Sequence, residues 1–182
     1  MSKLAIFMAD GCEEIEGLTV VDLVRRAGIA IDMVSIREEL TVTGAHGIKF
    51  MADKCFQEVA FDEYDGFILP GGMPGTINLG ESEFVCTTMK KAYASGKLCA
   101  AICAAPSVLG QLGILEGLNA TCYPGFEEKL TGAKCRTKAV VKDDNVITSR
   151  GMGTAIEFGL EIVAYFTDEA TAKKLEKGII YK

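Results

Sequence analysis

The chain is expected to fold as one α/β domain over residues 1–182, a doubly wound sandwich whose mostly parallel sheet carries helices on both faces. Three observations predict it. Short continuous apolar runs alternate with helix-period segments from end to end, as in strands buried on both faces of a parallel sheet. No linker, repeat or low-complexity tract interrupts the 182 residues, a length that suits one domain. Strands separated by helices, joined by right-handed crossovers, wind a sheet in both directions.

The elements follow in order. LAIFMA (4–9) is a buried-strand candidate. From Glu14 to Ala27 the spacing predicts a helix with Ile15, Leu18, Val21, Val24 and Ala27 on one face, stopped by Gly28. IAIDMVSI (29–36) is the next strand, and LTVTG and GIKFMA flank a turn at Ala45-His46 as a hairpin or edge pair. GFILP (66–70) leads through a glycine-rich loop to a helix over Glu81–Ser95, ended by Gly96. KLCAAIC (97–103) is a strand, and a helix begins near Ala105-Pro106, where proline suits the first turn. A hairpin around Asp143-Asp144-Asn145, the strand NVITS, the helix TAIEFGLEIVAYF and a final helix over Asp168–Lys177 complete the chain.

Composition bounds the function. The chain is 49% apolar, enough for a full core without a metal or disulfide scaffold. A net charge of −6 gives no basic footprint, so nucleic acid and anionic membranes are not expected partners. No basic leader precedes a long apolar run, and no apolar run reaches membrane-spanning length, so a cytoplasmic protein is expected. Seven cysteines, an odd number, are read as free thiols. The single histidine, His46, reads as a surface turn residue, and no His/Cys/carboxylate spacing suggests a metal; no cofactor is expected.

In such sheets ligands bind beyond the carboxyl ends of the strands. Three segments end strands with chemistry-bearing residues: Asp10-Gly11-Cys12-Glu13-Glu14-Ile15-Glu16, Leu69-Pro70-Gly71-Gly72 and Ala100 through Pro106. Cys103 lies between a strand and a helix start, where orphan amides and the dipole favour thiolate, as in a nucleophile elbow. Local sequence alone reads it equally as a buried strand-end cysteine. Cys99, about 13 Å earlier along the strand, is too far for a disulfide with Cys103 and belongs to the core. Glu13 and Glu14 read as ordinary complements to a helix N-terminus. Glu16 falls beside the apolar stripe, where a carboxyl near a thiolate is pushed towards its protonated form and can shuttle a proton. The amides of Gly72 and Ala104 would form an oxyanion hole. Gly151-Met152-Gly153 reads as a backbone turn near the site.

ADGCEEIE, ILPGG, AAICAAP and TSRGMGTAIEFGLEIV, in this order and spacing, resemble the ThiJ/PfpI superfamily, in the branch of the Parkinsonism-associated protein deglycase. The resemblance spans essentially the whole chain. It implies a flavodoxin-like fold, a homodimer with Arg25 and Arg26 on the facing helix, and cofactor-independent handling of 2-oxoaldehydes such as methylglyoxal, or of glycated substrates. It makes Cys103 the oxidation-prone nucleophile, Glu16 its protonated partner, and Gly72 and Ala104 the residues whose amides face the substrate oxygen. Two positions depart from the family pattern. Tyr123-Pro124 stands where many branch members carry His-Pro, so Tyr123 is the candidate substrate contact. Ala104 stands where the peptidases place histidine after the cysteine, which ranks a peptidase or amidase last. A redox sensor or stress-response chaperone using the same cysteine is the alternative to a glyoxalase or deglycase.

Overall fold

The structure is a computed structural model and describes residues 2–181. One sheet of seven strands runs in the order β10-β11-β7-β6-β1-β2-β5. Its strands are β1 (Lys3–Met8), β2 (Ala30–Ser35), β5 (Lys54–Cys55), β6 (Gly66–Leu69), β7 (Leu98–Ile102), β10 (Val140–Asp143) and β11 (Val146–Ser149). All pairings are parallel except that of β10 with β11, which form the hairpin expected around Asp144. β3 (Thr41–Thr43) and β4 (Lys49–Met51) form a separate antiparallel hairpin, and β8 (Asn119–Ala120) pairs with β9 (Lys134–Cys135).

Two apolar layers clothe the sheet, because alternate strand residues face opposite sides. Leu4, Ile6 and Met8 of β1 face α1 (Glu14–Arg26) and α5 (Ala155–Phe166), while Ala5 and Phe7 face α3 (Glu83–Ala94) and α4 (Pro106–Gln111). α2 (Gly75–Glu81) precedes α3, and α6 (Glu169–Gly178) packs beside α5. The doubly wound, flavodoxin-like architecture is as the sequence predicts. No helix among the described residues is long and apolar enough to cross a membrane.

Two elements differ from expectation. The helix expected over Glu81–Ser95 forms as α3, but the glycine-rich loop before it holds a further helix, α2, which stops at Glu81 because Ser82 leaves the helical region and its hydroxyl caps α3 by accepting from the Val85 amide at 3.3 Å. The apolar face of α1 is also rotated. Glu14, Glu16, Gly17, Val20, Val21, Leu23 and Val24 are buried, whereas Ile15 is half exposed. Packing of α1 between the sheet and α5 selects this face, and it carries two carboxyl groups inward.

The winding direction sets the site. From β1 the chain builds outward through β2 to β5, then returns to the other side of β1 with β6, β7 and β11. The reversal opens a crevice beyond the carboxyl ends of β1 and β6.

Candidate active site

Each of the three predicted segments ends at this crevice. Glu16 comes from α1 after β1, Gly71 and Gly72 follow β6, and Cys103 follows β7. Their backbones are stitched together. The Glu13 amide donates to Gly71 O at 2.9 Å, and the Cys103 amide donates to Ser149 O at 3.0 Å.

Cys103 takes a left-handed backbone, φ +66°. A non-glycine residue rarely adopts that region, and holding one there costs about 1–3 kcal/mol, so the surrounding packing must impose it. The sharp turn separates strand from helix and leaves the side chain half buried at the crevice. The backbone amides of Ala104 and Gly72 lie close enough to the Cys103 sulfur to favour its charged form, and the Glu16 carboxyl faces it. The two amides assigned from sequence to an oxyanion hole therefore bracket the sulfur itself.

Glycine is required here by contact. A Cβ on Gly71 would lie 2.6 Å from both Cys103 Cβ and Glu16 Oε2. One on Gly72, whose φ is +88°, would lie 2.2 Å from the Glu13 nitrogen.

Glu16 is 1% exposed. Its Oε2 accepts from the Gly71 amide at 2.8 Å, whereas Oε1 has no hydrogen-bond partner. Burial pushes this carboxyl up to about 7, more than Cys103 and the Gly71 amide draw it back.

The ionisation of Cys103 corrects the sequence reading. A lowered thiol was expected from the helix start. Instead burial pushes it up to about 12, the neighbouring Glu16 charge adds to the rise, and the Ala104 and Gly72 amides offset only part of it. The physical reason is that the sulfur is desolvated and faces a carboxyl, while α4 spans only Pro106–Gln111. A second negative charge against the first is unfavourable, so between the two values the pair holds one proton. That proton lies on sulfur or on Glu16. The amides on sulfur favour the thiolate, and the Gly71 amide favours the carboxylate.

Tyr123 borders the site through backbone as much as side chain. Its amide donates to Cys103 O at 2.8 Å, and its ring is 51% exposed, edge-on to Phe126. A Cβ on Gly151 would meet the Tyr123 ring at 3.4 Å and Glu16 Oε1 at 4.0 Å, so the Gly151 backbone closes the third side of the carboxyl. Cys12 is fully buried, and burial pushes its thiol up to about 12. Cys99 is likewise sealed in the core.

Glu14 is the functional-looking group that sequence reasoning missed. It is not an exposed dipole complement but 3% exposed, accepting from the backbone amides of His46 at 2.9 Å and Ile48 at 3.3 Å. It thereby ties the β3–β4 turn to the start of α1. A glutamate at a helix start carries no signal of this, since its partners lie more than thirty residues away.

A model of the DJ-1/PfpI family matches residues 2–165. Protein dj-1beta of Drosophila melanogaster is 37% identical over 183 residues, covering 99% of this chain and 98% of that protein. The glutathione-independent glyoxalase DJR-1.2 of Caenorhabditis elegans is 36% identical over 164 residues, covering 89% of this chain and 87% of its own length. Among solved structures, the oxidized DJ-1 of Toxoplasma gondii superposes with a TM-score of 0.95 at 33% identity, covering 100% of this chain and 99% of that one.

Proposed function

The chain belongs to the DJ-1/PfpI family, and from that premise we propose that it is a cofactor-independent, cysteine-dependent glyoxalase or deglycase acting on 2-oxoaldehydes such as methylglyoxal. The observation that carries this reading is the convergence on one strained, half-buried sulfur of the Glu16 carboxyl and the amides of Gly72 and Ala104. The relative named as a glutathione-independent glyoxalase supports the same reaction class.

The steps follow from the one-proton pair. Glu16 takes the thiol proton as the Cys103 sulfur bonds to the aldehyde carbon and the carbonyl π pair moves to oxygen. The alkoxide takes that proton back, giving a neutral hemithioacetal and restoring the Glu16 carboxylate. A proton then leaves the sulfur-bearing carbon to Glu16, giving an enediolate that the Gly72 and Ala104 amides stabilise, and returns at the adjacent carbon while the hydroxyl proton of the sulfur-bearing carbon passes to the neighbouring oxygen. The product is a 2-hydroxy thioester. Water adds to it, expelling the thiol and releasing the 2-hydroxy acid, with no net change in oxidation state. Tyr123, with its exposed phenol, contacts the carbonyl substituent by hydrogen bonding.

The test is a methylglyoxal assay on the unmodified chain beside Cys103→Ser and Glu16→Gln. Loss of at least a thousandfold in kcat/KM for Cys103→Ser is expected. Unchanged turnover would overturn the mechanism.

The second reading uses the same sulfur as an oxidation sensor, and the oxidized Toxoplasma relative favours it. Mild peroxide followed by intact mass separates the two. A two-oxygen adduct confined to Cys103 in a protein that does not turn over aldehydes supports sensing. We also assign the protein to the cytoplasm as a homodimer. Ile15, Ile48 and Met51 are about half exposed on the face of α1 and the β3–β4 hairpin, and a second copy would cover them.

A further inference from the structure

A cleft of about 530 Å³ opens beside the crevice, between α2, α4 and the segment that carries Phe126 and Lys129. It starts at the residues that flank the sulfur. Met73, which follows Gly72, lines it, and so does Ser107, whose hydroxyl donates to Ala104 O at 2.6 Å. The third wall leads outward as a row. The Phe126 amide donates to Tyr123 O at 3.1 Å, and the Lys129 amide donates to Phe126 O at 2.9 Å. Turns of this kind bring side chains three residues apart into line. The row therefore runs from Tyr123, whose amide is bonded to Cys103 O, through Phe126 to Lys129, whose ammonium stands 4.7 Å from the Phe126 ring centroid.

The polar groups of this cleft are left without partners. Thr76 is 5% exposed, and its buried hydroxyl has no hydrogen-bond partner. Glu81, Gln111 and Lys129 make no ion pair or side-chain hydrogen bond among the described residues. Ser107 spends its proton on Ala104 O and so can only accept from a ligand. The set is mixed: lysine only donates, glutamate only accepts, and glutamine and threonine do both. An alkyl chain would strip water from these groups and return no hydrogen bond. A carboxylate or phosphate would meet Glu81 as well as Lys129. A neutral chain of hydroxyls, each both donor and acceptor, matches every one of them.

We propose that this cleft binds the polyhydroxylated chain of sugar-derived 2-oxoaldehydes while their aldehyde carbon lies at Cys103, an inference that rests on the reaction proposed above and names its substrate class. Size agrees with the chemistry. Methylglyoxal takes roughly the space of three waters, about 90 Å³, and leaves the cleft unfilled. A six-carbon 2-oxoaldehyde spans about 6 Å from first carbon to last. Ser107 stands one turn, about 5–6 Å, past Ala104, so the far hydroxyls of such a substrate enter the cleft.

The experiment compares kcat/KM of the full chain for 3-deoxyglucosone, a six-carbon 2-oxoaldehyde with three hydroxyls, and for 2-oxohexanal, the same carbon chain without them. A preference of at least tenfold for the hydroxylated substrate is expected. Gln111→Leu and Lys129→Met, both at exposed positions, should each cut that preference at least threefold, chiefly through KM. Equal kcat/KM for the two substrates, or a preference that both variants keep, would overturn the inference even while methylglyoxal is consumed. If no aldehyde is consumed, the reaction itself fails, and calorimetry on Cys103→Ala decides the cleft. Binding of 3-deoxyglucosone at least tenfold tighter than 2-oxohexanal, lost when Lys129→Met is added, upholds it, and equal binding overturns it.

Discussion

The Gly71 amide donates to one oxygen of Glu16 at 2.8 Å, while the other oxygen, equally buried, accepts nothing. A half-satisfied buried carboxyl is a place where a proton is welcome, and the nearest group to share one is the Cys103 thiol. Alkylation of Cys103 by iodoacetamide should therefore follow the pair. Its rate should rise as the first proton leaves near pH 7, hold level, and rise again towards pH 12. In Glu16→Gln the step near 7 should vanish, and a single step should lie below 12, since the opposing charge is gone. Rates measured by intact mass across pH check this. A lone step in the unmodified protein at the ordinary thiol position would sink the paired description.

The same carboxyl links stability to pH. Its folded value of about 7 lies above the ordinary 4.5, so the folded protein binds the extra proton between them. The stabilisation is fully present below pH 4.5 and is lost as pH rises through 7, about 3 kcal/mol in all. Glu16→Gln does not titrate and should gain about that much on the unmodified protein between pH 4.5 and 8. Urea unfolding at the two pH values provides the comparison, and a constant difference would contradict the raised carboxyl.

Three glycines at the crevice should respond differently to alanine. At Gly72 the added carbon strikes backbone 2.2 Å away with φ +88°, so Gly72→Ala should lose roughly 3 kcal/mol or more of stability. At Gly71 the clash is with Glu16 Oε2 and with Cys103 Cβ, which moves only with the Cys103 backbone, so the elbow itself must shift. Gly71→Ala should fold but react at least tenfold more slowly with iodoacetamide at Cys103. At Gly151 the contacts are 3.4 and 4.0 Å, ordinary packing, and Gly151→Ala should change stability by less than about 1 kcal/mol. Thermal unfolding and thiol kinetics on the three variants give the ranking.

Much of this arrangement was legible before any coordinates. Runs such as LAIFMA and KLCAAIC are apolar on both faces, and only a covered parallel sheet accounts for them. Alanines and Pro106 after Cys103 marked the elbow because they permit a sharp turn into a helix. The short helix Gly75–Glu81 escaped notice because Pro74, Gly75 and Gly80 read as loop residues, and only its backbone angles reveal a helix before the Ser82 cap. The direction of the Cys103 ionisation was also hidden. Local sequence shows the helix start, but desolvation and the facing carboxyl come from β1 and α1, nearly ninety residues earlier. Burial of Glu14 has the same origin, since it depends on a turn formed by Ala45, His46 and Gly47.

That turn supplies the last prediction. Burial alone would raise the Glu14 carboxyl, but its own amide, the His46 amide and imidazole, and the Ile48 amide hold it below the ordinary carboxylate range. A lowered folded value means that its stabilisation is present above the unfolded value of about 4.5 and is lost as pH falls through the folded one. Glu14→Ala leaves two amides of the turn without their acceptor and should cost about 2–3 kcal/mol near neutral pH. The difference between variant and unmodified protein should shrink in acid, opposite to the trend at Glu16. Hydrogen exchange localises the effect: the His46 and Ile48 amides should exchange at least tenfold faster in Glu14→Ala, while the β1 and β7 amides stay protected. Uniform loss of protection across the sheet would show that Glu14 supports the whole fold rather than this turn.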